Sequence, residues 1–139
     1  MISTIDMKMM RYINLFERVS RVSTRHCFVY NNTIIFVVPK PLMSKAVGKD
    51  GKNMKKIGEI LRKKIKVVPM VTGEEGLGDF VKSVVEPVTF NKAELKDNSI
   101  VISAGRQSKA ALIGRGRLRE KELGEILKNF FKIRGLRIV

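Results

Sequence analysis

The chain repeats itself at a constant offset of 66 residues. Asn32-Thr33-Ile34-Ile35 aligns with Asn98-Ser99-Ile100-Val101, Val47-Gly48 with Ile113-Gly114, and Gly58-Glu59-Ile60-Leu61 with Gly124-Glu125-Ile126-Leu127, without a gap. Three matches in one order at one spacing mark a duplicated structural unit. In 139 residues two units have about seventy residues each, small domains that gain stability by packing on one another. The expected division is residues 1–72 and 73–139, and a 44% hydrophobic content is that of a folded chain.

The net charge of +15 is placed unevenly. Residues 1–44 carry +4, 45–66 carry +7, 67–104 carry −3 and 105–139 carry +7. Both concentrated windows begin just before the repeated glycine loop, so the excess follows the duplicated motif. That placement suits a phosphate polyanion. A membrane fits poorly, because no apolar run approaches spanning length and no secretory or lipidation pattern is evident. The expectation is a soluble, cytoplasmic chain. Cys27 is the sole cysteine, which excludes an internal disulfide or a thiolate cluster, and it reads as core. His26, also alone of its kind, reads as a satisfied strand residue.

Ile5, Met9, Tyr12, Phe16 and Val19 recur at three- and four-residue spacing and predict an amphipathic helix over 3–19. His26–Tyr30, Asn31-Asn32 and Thr33–Val38 read as a β-hairpin, with asparagines where a tight turn needs positive φ. Pro41 suits the first turn of a short helix over 41–47. After Gly48-Lys49-Asp50-Gly51 a second helix turns Met54, Ile57, Leu61 and Ile65 inward and Lys52, Lys55, Lys56 and Lys63 outward. A strand over 66–71 follows, in which Pro69 demands an edge or a bulge. Gly73, Gly76 and Gly78 with Glu74, Glu75 and Asp79 form an acidic joint. The second copy then runs as a helix over 77–85, strands over 88–95 and 99–104, helices over 107–113 and 118–131, and a strand over 136–139. Gly58 and Gly124 fall inside helices, where glycine costs about 1 kcal/mol relative to alanine; their repetition predicts close approach of another backbone.

Helix, Gly-x-x-Gly, helix is a geometry suited to a nucleic-acid backbone. Glycine holds no Cβ against a phosphate, and the helix that follows offers unpaired amides and the positive end of its dipole. Lys49 and Lys52 add charge there. Bases could lie in an apolar groove with Val47, Ile57 and the Ile35/Val37 face as candidates. The run Val47-Gly48-Lys49-Asp50-Gly51-Lys52-Asn53-Met54-Lys55-Lys56-Ile57 resembles the signature of a KH domain, and two strands before the helix pair with one after it resemble the type II arrangement. Two such units resemble the paired KH module of the NusA family of transcription elongation and termination factors, its short basic archaeal members above all. The resemblance implies an α+β fold of two tandem type II KH domains, each a small mixed three-stranded sheet covered by helices. It implies a non-enzymatic protein without cofactor or small-molecule substrate, with single-stranded nascent RNA as ligand and RNA polymerase as partner. The implied RNA contacts of the first copy are Lys45, Val47, Gly48, Lys49, Asp50, Gly51, Lys52, Lys55 and Ile57.

The second copy departs from that signature. Its loop is Gly114-Arg115-Gly116-Arg117, so the ungapped register sets Arg117 opposite Gly51, while a gapped register would make Gly116 the displaced second glycine. Ile113, Gly114, Arg115, Gly116, Arg117 and Arg119 are the corresponding contacts, expected to hold phosphates less by backbone approach and more by charge. Two other readings compete. Type II KH units also occur in small-subunit ribosomal proteins, which would make the chain a ribosome-associated scaffold. Glu94-Leu95-Lys96 with Asp79 resembles the Glu-x-Lys element of metal-dependent nucleases, although the adjoining Asp97-Asn98 reads more simply as a charged hairpin turn.

Overall fold

The computed structural model describes residues 4–24, 26–71 and 76–139, with residues 4–6 described by backbone alone. Two compact units divide the chain, Met1–Met70 and Val71–Val139. The boundary expected at 72–73, the joint residues Gly73, Glu74 and Glu75, and the side chain of Ile5 lie outside the described residues.

The first unit runs α1 (Thr4–Ser20), β1 (His26–Tyr30), β2 (Thr33–Val38), a 3-10 turn (Lys40–Leu42), α2 (Met43–Val47), a second 3-10 turn (Lys49–Gly51), α3 (Lys52–Leu61) and β3 (Lys64–Pro69). The hairpin forms as its sequence dictates. Asn31 and Asn32 take φ of 50° and 59°, values that asparagine tolerates better than most residues. β2 pairs antiparallel with β1 and parallel with β3, and the order β1-β2-β3 leaves Pro69 on an edge strand, where its missing amide costs no ladder bond. Strand parity then selects the core. Cys27, Ile34, Phe36 and Val38 join Tyr12, Phe16, Ala46 and Ile57 in one buried cluster, with Ile65 and Val67 packed against it. The Phe16 and Phe36 rings stack at 4.4 Å. Burial pushes the Cys27 thiol up to about 12, which keeps it protonated and unreactive near neutral pH.

The second unit repeats the order: α4 (Leu77–Val85), β4 (Lys92–Lys96), β5 (Ser99–Ser103), α5 (Arg106–Ile113), a 3-10 turn (Arg115–Arg117), α6 (Leu118–Phe131) and β6 (Gly135–Ile138). β5 again pairs antiparallel on one side and parallel on the other. Ile100, Ile102, Leu112 and Leu123, each 66 residues beyond a core residue of the first unit, are likewise buried. The fold class is α+β, with two small mixed three-stranded sheets and six α-helices among the described residues.

Several boundaries differ from the sequence pattern, each for a local reason. α3 stops at Leu61 because Arg62 turns left-handed and the amides of Arg62 and Lys63 both donate to the Gly58 carbonyl. Ile65 therefore faces the core from β3, paired with Ile34, and not from the helix. β3 starts at Lys64 instead of 66. β4 starts at Lys92 instead of 88, because the Val88 amide turns back to the Val85 carbonyl and Asn91 is the first residue after that turn to reach β5, donating to the Ser103 carbonyl at 2.7 Å. Gly78 and Asp79 belong to the first turn of α4, where an aspartate suits the helix dipole.

The two interior helix glycines separate. A Cβ on Gly58 would sit 3.3 Å from the Lys63 carbonyl oxygen, whereas a Cβ on Gly124 would meet nothing within 4 Å. The cause is length. α6 has 14 residues and α3 has 10, so the chain of the second copy turns back one helical turn later. Gly124→Ala should raise stability in urea unfolding by about 1 kcal/mol through helix propensity, while Gly58→Ala should gain nothing. Equal gains at both positions would mean that the Lys63 carbonyl does not constrain α3.

Candidate nucleic-acid interface

The link between α2 and α3 has the same backbone as the link between α5 and α6. Gly48 takes φ 81° and ψ 166°, and Gly114 takes 74° and 172°, a region that essentially only glycine enters. The third and fourth loop residues are both left-handed: Asp50 and Gly51 in the first copy, Gly116 and Arg117 in the second. The ungapped register is therefore the structural one. Glycine has moved from the fourth loop position to the third, and Arg117 accepts the left-handed conformation that Gly51 holds in the first copy.

The two glycines of each loop do different things. A Cβ on Gly48 would come within 2.9 Å of the Asn53 side chain, and one on Gly114 within 2.8 Å of the Arg119 side chain. Gly51 and Gly116 have nothing within 4 Å of that position. Room for a phosphate thus lies at Gly51 and Gly116, while the space expected at Gly48 and Gly114 is filled from within. Among the described residues no N-cap side chain bonds the start of α3 or of α6; the Lys52 and Leu118 amides donate to the Lys49 and Arg115 carbonyls, and the first-turn amides after them face an anion's approach.

In the first unit Lys49, Asp50, Lys52 and Lys55 converge with Lys56 and Glu59 on an open depression of about 580 Å³. Within α3, positions 52, 55, 56 and 59 follow the i, i+3, i+4, i+7 rhythm of one helical stripe, and Lys49 reaches the same depression from the loop. That spacing could have shown Lys56 and Glu59 in the sequence. Among the described residues none of the four lysines forms an ion pair. Lys45 and Val47 lie before the loop and do not line the depression. Ile57 is fully buried in the core cluster, and so it cannot line an open groove. Ile35 and Val37 alternate with the core residues Ile34, Phe36 and Val38 along β2, hence they point away from α2 and α3 and are not groove residues on that face either.

The second unit keeps Arg115, Lys121 and Glu125 where the first has Lys49, Lys55 and Glu59, and loses the rest of the pattern. Leu118 stands where the first copy has Lys52, Glu122 where it has Lys56, and Gly116 where it has Asp50. Leu118 is 59% exposed. Arg117 donates from Nε to the Glu120 carboxylate at 2.9 Å. Arg119 is half-buried and donates from Nη1 to the Ala111 carbonyl at 3.1 Å. Arg115 alone of the three loop arginines is exposed and without a partner among the described residues. Ile113 is half-buried. The second loop thus keeps the backbone geometry of the first, and two of its arginines are engaged internally.

Elsewhere, Glu94 pairs with Lys92 and Lys96, and the hydrogen bonds from Lys92 and then Lys96 hold its carboxyl below the usual carboxylate range. No helix of the described residues is long and apolar enough to cross a membrane.

Residues 10–72 match the family model of the KH domain. Over 107 residues the chain is 26% identical to the probable transcription termination protein NusA of Halococcus morrhuae, an alignment covering 77% of this chain and 75% of that relative. Among solved structures, the crystal structure of APE1850 matches with a TM-score of 0.68 and 27% identity, over 96% of this chain and 99% of the other.

The loop geometry makes a direct test possible. Gly51→Arg copies what the second loop already carries and should cost about 1 kcal/mol of stability, the left-handed penalty of a non-glycine residue. Gly48→Ala meets both a glycine-only backbone and the Asn53 side chain, and should cost roughly 2–3 kcal/mol in the same thermal or urea unfolding measurement. Equal costs would mean that the two glycines are equivalent.

Proposed function

We propose that the chain is a non-enzymatic, cytoplasmic RNA-binding protein made of two KH domains of type II, in which the first unit grips the phosphates of a single strand and the second contributes fewer contacts. The observation that carries this reading is the KH loop of the first unit. Open space at Gly51 and the uncapped start of α3 adjoin in sequence a depression lined by four lysines that form no ion pair among the described residues. Exposed lysines gathered at one depression repel one another. A polyanion resolves that repulsion and releases the counterions it carries.

A role in transcription elongation, pausing or termination on nascent RNA, with RNA polymerase as partner, is part of the proposal. It is supported by the likeness to a relative named as a probable transcription termination protein. The paired lysines around Glu94 support a surface turn over a nuclease centre, since the carboxylate already has cationic partners.

Affinity for labelled single-stranded RNA should fall with salt, at about −0.7 in log affinity per log salt for each phosphate neutralised. Replacing Lys55 and Lys56 together by glutamine should flatten that slope by roughly 1.4, and Arg115→Gln by roughly 0.7. Lys49→Asp should weaken binding about tenfold or more with stability changed by no more than about 0.5 kcal/mol, as for other exposed positions. Salt-indifferent binding would overturn the electrostatic argument. RNA incubated with Mg²⁺ should stay intact; cleavage that disappears in Glu94→Ala would overturn the non-enzymatic reading. Co-sedimentation with RNA polymerase is the expected behaviour in extracts, and sedimentation with ribosomal subunits instead would replace the transcriptional role by a scaffold role.

A further inference from the structure

In each copy one side chain from the helix after the loop reaches back to the helix before it. Asn53, on α3, donates from Nδ2 to the carbonyls of Lys45 and Ala46 at 3.1 and 3.2 Å. Arg119, on α6, donates from Nη1 to the carbonyl of Ala111 at 3.1 Å. The two residues are 66 positions apart, as are Lys45 and Ala111. They differ in length, charge and shape, yet they do the same thing.

The carbonyls they reach are those that the end of a helix leaves without an intrahelical partner. In α2 the Gly48 amide satisfies the Ser44 carbonyl, and in α5 the Gly114 amide satisfies that of Ala110. The next carbonyls in line have no amide in the same helix, and the chain turns away into the loop. Asn53 and Arg119 supply the missing donors across eight residues. Each crosses beneath the first loop glycine, close enough that any Cβ there would collide with it. The glycine-only backbone of Gly48 and Gly114 and the crossing side chain therefore form one unit, each requiring the other.

Resting on the RNA-binding reading above, we infer that Asn53 and Arg119 are positioning residues: side-chain straps that hold the two helices flanking each loop and so keep the loop in its phosphate-accepting shape without touching the phosphate. The guanidinium of Arg119 is then a structural donor, not an RNA contact. The strap also accounts for how Arg117 can occupy a left-handed position in the second loop, because the fold around it is pinned on both sides.

The test uses the full chain, with and without single-stranded RNA. In the free protein, Asn53→Ala should speed hydrogen exchange of the Gly48 amide about tenfold and leave Gly114 unchanged, and Arg119→Ala should do the reverse. With RNA, Asn53→Ala should lower affinity roughly five- to tenfold, the scale of a lost pair of neutral hydrogen bonds, with an unchanged salt slope because no phosphate contact is lost. Asn53→Arg, which installs the second copy's strap, should restore both exchange and affinity, again at the original slope. Unaltered Gly48 exchange in Asn53→Ala would overturn the strap. A slope flattened by about 0.7 in Arg119→Ala, or steepened as much in Asn53→Arg, would show direct phosphate contact and overturn it as well. Failure of the unaltered protein to bind any RNA would sink the RNA-binding reading alone, since the exchange measurement decides the strap without ligand.

Discussion

Two consecutive left-handed residues link the helix pair in each unit, and much of what the molecule presents to its surroundings depends on their being held. Each such residue costs a non-glycine side chain about 1–2 kcal/mol, so the pair does not persist by preference. Each copy places one glycine in the pair, at Gly51 or Gly116, and leaves a non-glycine residue at the other place, Asp50 or Arg117. The remaining strain is countered by closure of the loop at its base. There the first glycine of each loop adopts a backbone that essentially only glycine allows, and a side chain from the next helix crosses under it. Because the loop is closed, α3 and α6 begin without an N-cap side-chain bond, beside an open face.

Duplication let the two copies keep this scaffold and change what it carries. The buried positions repeat at the same offset, from Ile34 and Ile100 to Ile57 and Leu123, while the exposed stripe does not. In the first unit, lysines at 49, 52, 55 and 56 stand around one depression without an ion pair among the described residues. In the second, an exposed leucine replaces one lysine and a glutamate another, and two arginines are drawn onto Glu120 and the Ala111 carbonyl. The duplicated core positions change size, Phe36 to Ile102 and Ala46 to Leu112, but stay apolar, whereas a surface stripe lacks even that constraint, and electrostatic divergence is the expected result.

Much of this was legible from residue pattern, and the limits are physical. Hairpins at Asn31-Asn32 and Asp97-Asn98 were readable because few residues accept positive φ, and α4 and α6 because their apolar spacing is sustained over the whole element. The end of α3 was not. Ile65 falls four residues after Leu61, so a helical stripe and a following strand share the same apolar phase, and only the left-handed turn at Arg62 separates them. Ile57 carries two expectations, inward by helical spacing and groove-lining by its place beside the loop, and its complete burial agrees with the first. The straps were invisible. Aligning Asn53 with Arg119 pairs unlike side chains, and what unites them is the equivalent carbonyl each reaches, a property of three dimensions. Lys56 and Glu59, by contrast, lie on a stripe that helical spacing could have revealed.

Glu59 gives the stripe an end. The lysines at 52 and 56 are separated by about 6 Å along the helix axis at 1.5 Å per residue, close to the spacing of successive phosphates in an extended strand. Glu59 follows on the same face, where a third phosphate in line would meet a like charge. In water such repulsion at contact distance is only about 1 kcal/mol, and it grows as the surface is desolvated by a bound ligand. A face of uniform charge would hold a polyanion in any register. One bracketed by Asp50 at the loop and Glu59 at the far end favours the registers in which the phosphates fall between the two carboxylates, so that charge alone supplies the first increment of positional order.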